Sequence, residues 1–298
     1  MKYVLTLISG SAGSLDEAIV KRVREVLPRA GEPDWLSPGQ ACDITFELES
    51  KGDLEKLRMD VRGSLAGAPV DVVLQPAQHR RKRLLVADMD STLIGQECID
   101  ELADFAGLKP RVAAITERAM RGELEFESAL RERVSLLAGL DEAVLDRVFE
   151  ERITLNPGAR ALACTMRAHG AKTVIVSGGF TFFTRRVANA AGFETDHANT
   201  LEVAGGKLTG RVIEPILGQQ AKYDALRRHR DALSLAPSQT LGVGDGANDL
   251  VMLQEAGLGV AYYAKPIVAE QADAGIEHTD LTALLFAQGY RREDFVED

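Results

Sequence analysis

The sequence predicts an α/β protein in which a small α+β unit precedes a parallel sheet that carries a helical insertion. Three observations predict this class. Short, apolar, β-rich runs occur at 83–87, 172–176, 240–243 and 258–262, and helical segments separate them, as in a buried parallel sheet. A helical stretch at about 96–152 is too long for a simple crossover and indicates a cap. Residues 1–76 show a different order of elements.

The first 76 residues predict a β-α-β-β-α-β unit. Strand patterns occur at 3–8, at 44–48 with a partner beginning near residue 35, and at 70–74, while helical stripes occupy 15–27 and 53–65. This order is the split ferredoxin-like arrangement. It resembles the small regulatory domains called ACT, which often bind amino acids. The resemblance implies an amino-acid effector at this unit, although no diagnostic motif supports it.

The sequence has a cluster of basic residues, at 79–83, which follows Pro76 and precedes an apolar strand. We expect a charged linker at 77–82 and a second domain at 83–298. The formal net charge is −10 and the pI is about 5.2. Nucleic-acid binders obtain much of their affinity by neutralising phosphates with basic residues, so nucleic acid is not an expected partner.

Membrane segments and metal-binding cysteines are not expected. No apolar run approaches the roughly 18 residues of a membrane span, and the first residues do not have the layout of a signal peptide, which predicts a cytoplasmic protein without a membrane partner. Cys42, Cys98 and Cys164 are too far apart for a CxxC pair and odd in number, which makes a zinc site and a disulfide framework improbable.

Two aspartates follow the apolar run at 84–87, in the motif DMDST at 88–92. Ligands bind at the carboxyl ends of strands in open α/β sheets, and a helix N-cap would explain one aspartate better than two. Asp88 could act as a covalent nucleophile and Asp90 as a general acid and base.

Three further segments fit an anion and metal site. Ser177, Gly178 and Gly179 follow the second apolar run, where a hydroxyl and close backbone N–H groups suit a phosphate, although a plain strand-to-helix turn explains them equally. The motif GDGAND at 244–249 follows the third run and supplies hard oxygen ligands that suit Mg²⁺. Lys222 precedes that motif and could balance the carboxylates, although a single lysine is usually solvated.

These motifs resemble, in order and spacing, those of the haloacid dehalogenase-type phosphatases, from residue 84 to residue 249. The resemblance implies a Rossmann-like core with a helical cap. It implies that Asp88 is the nucleophile, that Asp90 is the acid and base, that Ser177 binds a phosphoryl oxygen and that Lys222 is the balancing cation. It also implies Mg²⁺ as cofactor; the metal site would consist of the Asp88 and Asp245 carboxylates and the Asp90 carbonyl, with Asn248 and Asp249 orienting the loop or the metal-bound waters.

Within that family the chain resembles the phosphoserine phosphatases over about 84–285, the stretch at 259–266 included. The resemblance implies that Glu97 faces the ammonium of phosphoserine, that Arg133 holds its carboxylate, and that Met120 and Phe126 close the lid. Glutamate and arginine suit a zwitterion. Arg133 could equally be one of several charges on a solvated helix face, and Phe126 and Met120 could be cap core.

Three functions remain as alternatives to phosphoserine hydrolysis in serine biosynthesis. The chain could be a phosphatase for another small phosphorylated alcohol, or a phosphoryl transferase. It could also be an amino-acid-sensing protein with an inactive catalytic domain, although the complete set of motifs argues against that. The chain could also form a homodimer.

Overall fold

The structure, a computed structural model, describes residues 1–120 and 123–296. It confirms the predicted α/β class. The N-terminal unit contains β1 (Lys2–Ser9), α1 (Glu17–Val26), β2 (Asp34–Ser37), β3 (Ala41–Glu47), α2 (Leu54–Ser64) and β4 (Val70–Pro76). Its antiparallel sheet has the order β2-β3-β1-β4, as the ferredoxin-like arrangement requires. An ACT-like role for this unit stays a prediction.

The larger sheet has seven strands within the described residues, in the order β11-β10-β9-β5-β6-β7-β8. These strands are β5 (Leu84–Ala87), β6 (Lys172–Phe180), β7 (Thr195–Ala204), β8 (Lys207–Ile213), β9 (Thr240–Gly244), β10 (Leu258–Tyr262) and β11 (Ala274–Ile276). Pairing is parallel except between β7 and β8, which form an antiparallel hairpin. The sequence did not predict β11 or the parallel first half of β7.

Helices cover the larger sheet and form the cap. The cap segment contains α3 (Cys98–Phe105), α4 (Lys109–Met120), α5 (Phe126–Ser135) and α6 (Ala143–Arg152). The chain leaves and re-enters the core at one place, because Ile94 and Leu155 form an antiparallel bridge. The remaining helices are α7 (Ala159–Ala168), α8 (Thr181–Ala191), α9 (Gln219–Ala232), α10 (Leu250–Glu255), α11 (Pro266–Gln271) and α12 (Ala283–Ala287). In the described part of the chain, no helix combines the length and apolarity that a membrane crossing requires.

The two sheets are packed together through apolar and polar contacts. One face of the N-terminal sheet packs on α1 and α2, while Ile8, Leu36, Ala41 and Val73 join the core of the larger domain. Asp71 accepts hydrogen bonds from the Glu277 amide at 2.8 Å and the Thr279 hydroxyl at 2.6 Å. The N-terminal unit is therefore buried on both faces of its sheet.

The basic segment that joins the two units differs from a solvated linker. Arg80 pairs with buried Asp43 of the N-terminal unit and donates to the Ala287 carbonyl of the larger domain at 3.1 Å. The Lys82 ammonium donates to the Ser238 carbonyl at 2.9 Å, and burial lowers the pKa of Lys82 to about 8. These charges interact with specific oxygen partners instead of water.

We expect Arg80→Ala to destabilise the protein by about 3–5 kcal/mol, since it leaves the Asp43 carboxylate buried without its cation. Arg24→Ala is the matched control, because the Arg24–Glu32 pair is far more exposed and should contribute about 1 kcal/mol or less. Urea unfolding measures both losses. Equal, small losses would show that the Arg80 pair does not lock the units together.

Candidate active site

The carboxyl ends of three neighbouring strands converge on one edge of the larger sheet. Strand β5 lies between β6 and β9, with Ala87 in register with both Ile175 and Val243. Asp88 directly follows Ala87, while Ser177 and Asp245 lie two residues beyond Ile175 and Val243, so all three lie near the same edge of the sheet. Parallel pairing thus brings together motifs that are far apart in the sequence.

A buried lysine joins two of the carboxylates. The Lys222 ammonium lies 2.7 Å from Asp88 Oδ2 and 2.6 Å from Asp249 Oδ1, and its side chain is 2% exposed. Burial alone would lower the pKa of Lys222, but Asp249 and Asp88 outweigh it, so the pKa lies above its ordinary value. Burial and the charge of Asp249 raise the pKa of Asp88, while the Lys222 ammonium opposes that rise. Lys222 therefore stays charged and compensates a buried pair of acids.

Three carboxylates lie close enough to hold one metal ion. An oxygen from each of Asp88, Asp245 and Asp249 lies within 4.8 Å of the others. Oxygen donors of this kind suit Mg²⁺. Both oxygens of Asp249 have partners, Lys222 and the Gly246 amide at 3.0 Å, and so do both oxygens of Asp88, with Lys222 and the Met89 amide at 2.8 Å. Among the described residues, the Asp245 carboxylate has only a long contact of 3.4 Å with the Thr92 hydroxyl. Asp245 therefore has the most available carboxylate of the three, Asp88 is the second ligand that the family resemblance implies, and Asp249 would support them.

The glycines of the 244–249 motif make room for these acids. A Cβ on Gly244 would lie 2.3 Å from Asp249 Cγ, and a Cβ on Gly246 would lie 2.3 Å from Asn248 Oδ1. Neither approach is compatible with a side chain. Asn248, which the resemblance implies orients this loop or binds near the substrate and metal-bound waters, lies in the same turn as Asp249 with its Oδ1 close to Gly246.

Asp90 lies beside this group but outside it. Its Oδ1 is buried and has no hydrogen-bond partner among the described residues. Burial and the negative charge of Glu97 raise the pKa of Asp90 to about 7. A carboxyl group with a pKa near neutrality and an unpaired oxygen can donate and accept a proton.

The last residues of β6 lie close to Asp90 and to the cap. The Ser177 hydroxyl accepts a hydrogen bond from the Gly179 amide at 2.9 Å, and a Cβ on Gly179 would lie 3.1 Å from Asp90 Oδ2. A Cβ on Gly178 would lie 3.0 Å from Cζ of Phe126, which belongs to α5 of the cap. Phe126 thus contacts the candidate site from the side of the cap.

The cap also brings a guanidinium toward Asp90. Burial lowers the pKa of Arg133, and the nearby charges of Asp100, Glu97 and Asp90 oppose that fall. Arg133 donates to the Ala129 carbonyl at 3.3 Å and forms no carboxylate ion pair within residues 1–120 and 123–296. Arg131, on the same helix, is instead paired with Glu127 and Glu214 on the surface. Arg131 therefore behaves as a surface helix charge, whereas Arg133 is half-buried without a carboxylate partner among the described residues.

Two other predicted residues have less defined surroundings. Glu97 is exposed and accepts a hydrogen bond from the Ser91 hydroxyl at 2.7 Å. Met120 ends α4, but its side chain lies outside the part of the chain that the structure describes, so its role stays a prediction.

Asn199 and Gly218 also belong to this region, although sequence reasoning missed them. The Asn199 amide binds the backbone at Gly178 and Leu217, and a Cβ on Gly218 would lie 3.3 Å from the Phe126 ring. A buried polar side chain on a strand carries no signal in one sequence, because its partners lie elsewhere along the chain.

The chain matches known proteins along most of its length. Residues 85–254 match the model of the haloacid dehalogenase-like hydrolases, and the chain therefore belongs to that family. It is 47% identical to a phosphoserine phosphatase of Polaromonas, over 74% of this chain and 95% of that protein. It is 45% identical to a phosphoserine phosphatase of Streptomyces coelicolor, over 81% of this chain but only 59% of that longer protein.

A solved structure extends the likeness to both units. A haloacid dehalogenase family hydrolase from Salmonella enterica serovar Typhi superposes with a TM-score of 0.84 at 30% identity. The superposition covers 96% of this chain and 98% of that one, so the N-terminal unit is included.

Proposed function

We propose that this protein hydrolyses O-phospho-L-serine to L-serine and phosphate through an aspartyl-phosphate at Asp88. The family membership and the phosphoserine phosphatase relatives support the reaction class. The observation that carries the substrate is the half-buried guanidinium of Arg133, which lies within electrostatic range of Asp100, Glu97 and Asp90 and forms no ion pair in the described part of the chain.

The first step transfers the phosphoryl group to the protein. A carboxylate oxygen of Asp88 attacks phosphorus, the bond between phosphorus and the serine oxygen breaks, and Asp90 gives that oxygen its proton. The raised pKa of Asp90, about 7, keeps a protonated fraction available near neutral pH.

The second step returns the nucleophile. Asp90, now ionised, takes a proton from a water molecule that attacks phosphorus, and the Asp88–phosphorus bond breaks to release phosphate. Ser177 and the Gly178 and Gly179 amides would hold phosphoryl oxygens in both steps.

Magnesium fits the donor set. Asp88 and Asp245, with the Asp90 carbonyl, would hold it, and Asp249 would support them through Lys222 and the Gly246 amide. When bound, Mg²⁺ would neutralise charge on the carboxylates and the phosphate. Lys222 supplies the permanent part of that compensation, since it contacts both Asp88 and Asp249.

Phosphoserine carries an ammonium and a carboxylate, and the cap offers a group of opposite charge for each. Glu97 would bind the ammonium, and Arg133 would bind the carboxylate as a fork of two donors. Phe126 would cover the bound substrate from the cap side.

A panel of four esters tests the substrate. Phosphate release is measured from phosphoserine, phosphoethanolamine, phosphoglycolate and an aryl phosphate, so that the carboxylate, the ammonium or both are absent in turn. We expect kcat/KM to be highest for phosphoserine by at least about a hundredfold over the aryl ester, because the aryl ester lacks both groups that would pair with Arg133 and Glu97. Equal values would favour a phosphatase for another alcohol, and transfer of phosphate to added glycerol in preference to water would favour a transferase.

Removal of the metal should stop turnover. Without a cation, the carboxylates repel the phosphate, so exhaustive dialysis against EDTA should remove activity and Mg²⁺ should restore it. Calcium should bind and inhibit, because its larger and looser ligand shell misplaces the nucleophile. Full activity after dialysis would contradict the metal site.

Three further expectations belong to this proposal. An amino-acid effector at the N-terminal unit, a homodimer and a cytoplasmic location are predictions from the sequence. The stoichiometry of serine binding tests the effector, since a separate site would bind a second equivalent of serine per chain besides the one bound at the active site.

A further inference from the structure

Asn199 connects two segments that border the candidate active site. It lies at the middle of β7, its side chain is 1% exposed, and its Nδ2 donates to the Gly178 carbonyl at 2.9 Å and the Leu217 carbonyl at 3.1 Å. Its Oδ1 accepts from the Leu217 amide at 2.7 Å. The amide therefore cross-links the end of β6 to the segment that leads into α9, the helix of Lys222.

Both ends of this cross-link adjoin the contact surface of the cap. Gly178 and Gly218 face the ring of Phe126 from two sides, since their hypothetical Cβ atoms would lie 3.0 Å and 3.3 Å from it. We call these two residues the glycine seat. Asn199 binds the carbonyl of one seat residue and both backbone groups of Leu217, which precedes the other. The separation of the two glycines thus depends on one buried amide.

The same strand also connects to the cap through its hairpin. Beyond Asn199, β7 leaves its partner β6 and pairs with β8. The Leu208 carbonyl of β8 accepts from the Gly139 amide at 2.8 Å, and the Leu208 amide donates to the Leu140 carbonyl at 2.9 Å, just after α5. Asn199 therefore lies where the core sheet ends and the arm that contacts the cap begins.

We propose that Asn199 is a positioning residue that holds the glycine seat in place for Phe126 and so fixes the closed cap over the reacting groups. This inference rests on the proposed phosphatase function and assigns Asn199 no contact with the substrate. A displacement of about 1 Å in such a site costs roughly a hundredfold in rate, and residues whose own positions are fixed by packing and hydrogen bonds prevent it.

Two substitutions separate hydrogen bonding from volume. Asn199→Ala removes the cross-link, and we expect kcat/KM for phosphoserine to fall by about tenfold to a hundredfold. Asn199→Asp keeps the volume but turns an oxygen toward the two carbonyls that the amide now binds, so it should lose at least as much. Asn199→Ser, which keeps a hydroxyl donor, serves if the alanine variant does not fold. Near-normal activity of the aspartate variant would overturn the proposal.

A double-mutant cycle with Phe126→Ala tests the route of the effect. If Asn199 acts through the seat, Asn199→Ala should cost less than about threefold once Phe126 is absent, because coupled residues are not additive. Gln288→Ala is the matched control, because Gln288 is also a buried amide that binds the backbone of two segments, at Lys82 and at Leu284. Its loss should leave kcat/KM within threefold. Losses that multiply, or equal losses in the control, would overturn the proposal. Hydrolysis by the wild-type protein, measured in parallel, tests the proposed function separately.

Discussion

Asp88→Asn should abolish turnover and leave the fold intact. The amide has the shape of the carboxylate but cannot form an acyl-phosphate, so kcat should fall by at least about a thousandfold. Lys222 keeps Asp249 as a partner at 2.6 Å, and the 0% exposed Ala87 that precedes Asp88 is unchanged, so the strand should remain in place.

Steady-state kinetics and thermal unfolding measure the two parts of that result. Asp141→Asn makes the same chemical change at an exposed position that accepts from the Ala143 amide, and it should keep kcat within about twofold. A beryllium fluoride adduct should form in the wild-type protein and not in Asp88→Asn. More than a few per cent of wild-type activity in that variant would contradict the covalent mechanism.

Arg133→Ala should impair phosphoserine hydrolysis and hardly affect an aryl phosphate. Loss of a desolvated charge pair with the substrate carboxylate costs about 2–5 kcal/mol, or roughly tens- to thousands-fold in kcat/KM, mainly through KM. The aryl ester has no carboxylate, so the substitution removes nothing that it uses.

Arg131→Ala is the control for that experiment. Arg131 lies two residues away on α5, but its guanidinium is paired with Glu127 and Glu214 and its side chain is 48% exposed. Its loss should leave kcat/KM within about twofold for both esters. If Arg133→Ala and Arg131→Ala behaved alike, Arg133 would be a solvated helix charge and the case for phosphoserine would fall.

The central strands and the acidic strand ends could be predicted because their signals are local. A parallel strand covered on both faces needs a continuous apolar run, as in β5, β9 and β10. The first half of β7 contains Asp196, His197 and Asn199, so it lacks that run although its backbone pairs with β6. Strand β11 has three residues, too few for a periodic pattern.

Partners that are distant in the sequence account for what could not be predicted. The basic run at 79–83 has the composition of a solvated linker, and only the tertiary structure brings Asp43 to Arg80. Likewise, Arg131 and Arg133 look alike in the sequence, and the position of Glu214 separates them. Whether a charge or an amide is buried depends on the position of its partner in the folded protein. A local sequence pattern does not show that position.

The most direct test of the account is to find the phosphorylated residue during turnover. The wild-type protein is mixed with Mg²⁺ and phosphoserine that carries a labelled phosphate, quenched with acid within one turnover, and digested for mass spectrometry. We expect the label on Asp88, with its amount rising and then falling as phosphate is released. A label on another residue, or phosphate release without any labelled protein, would contradict it.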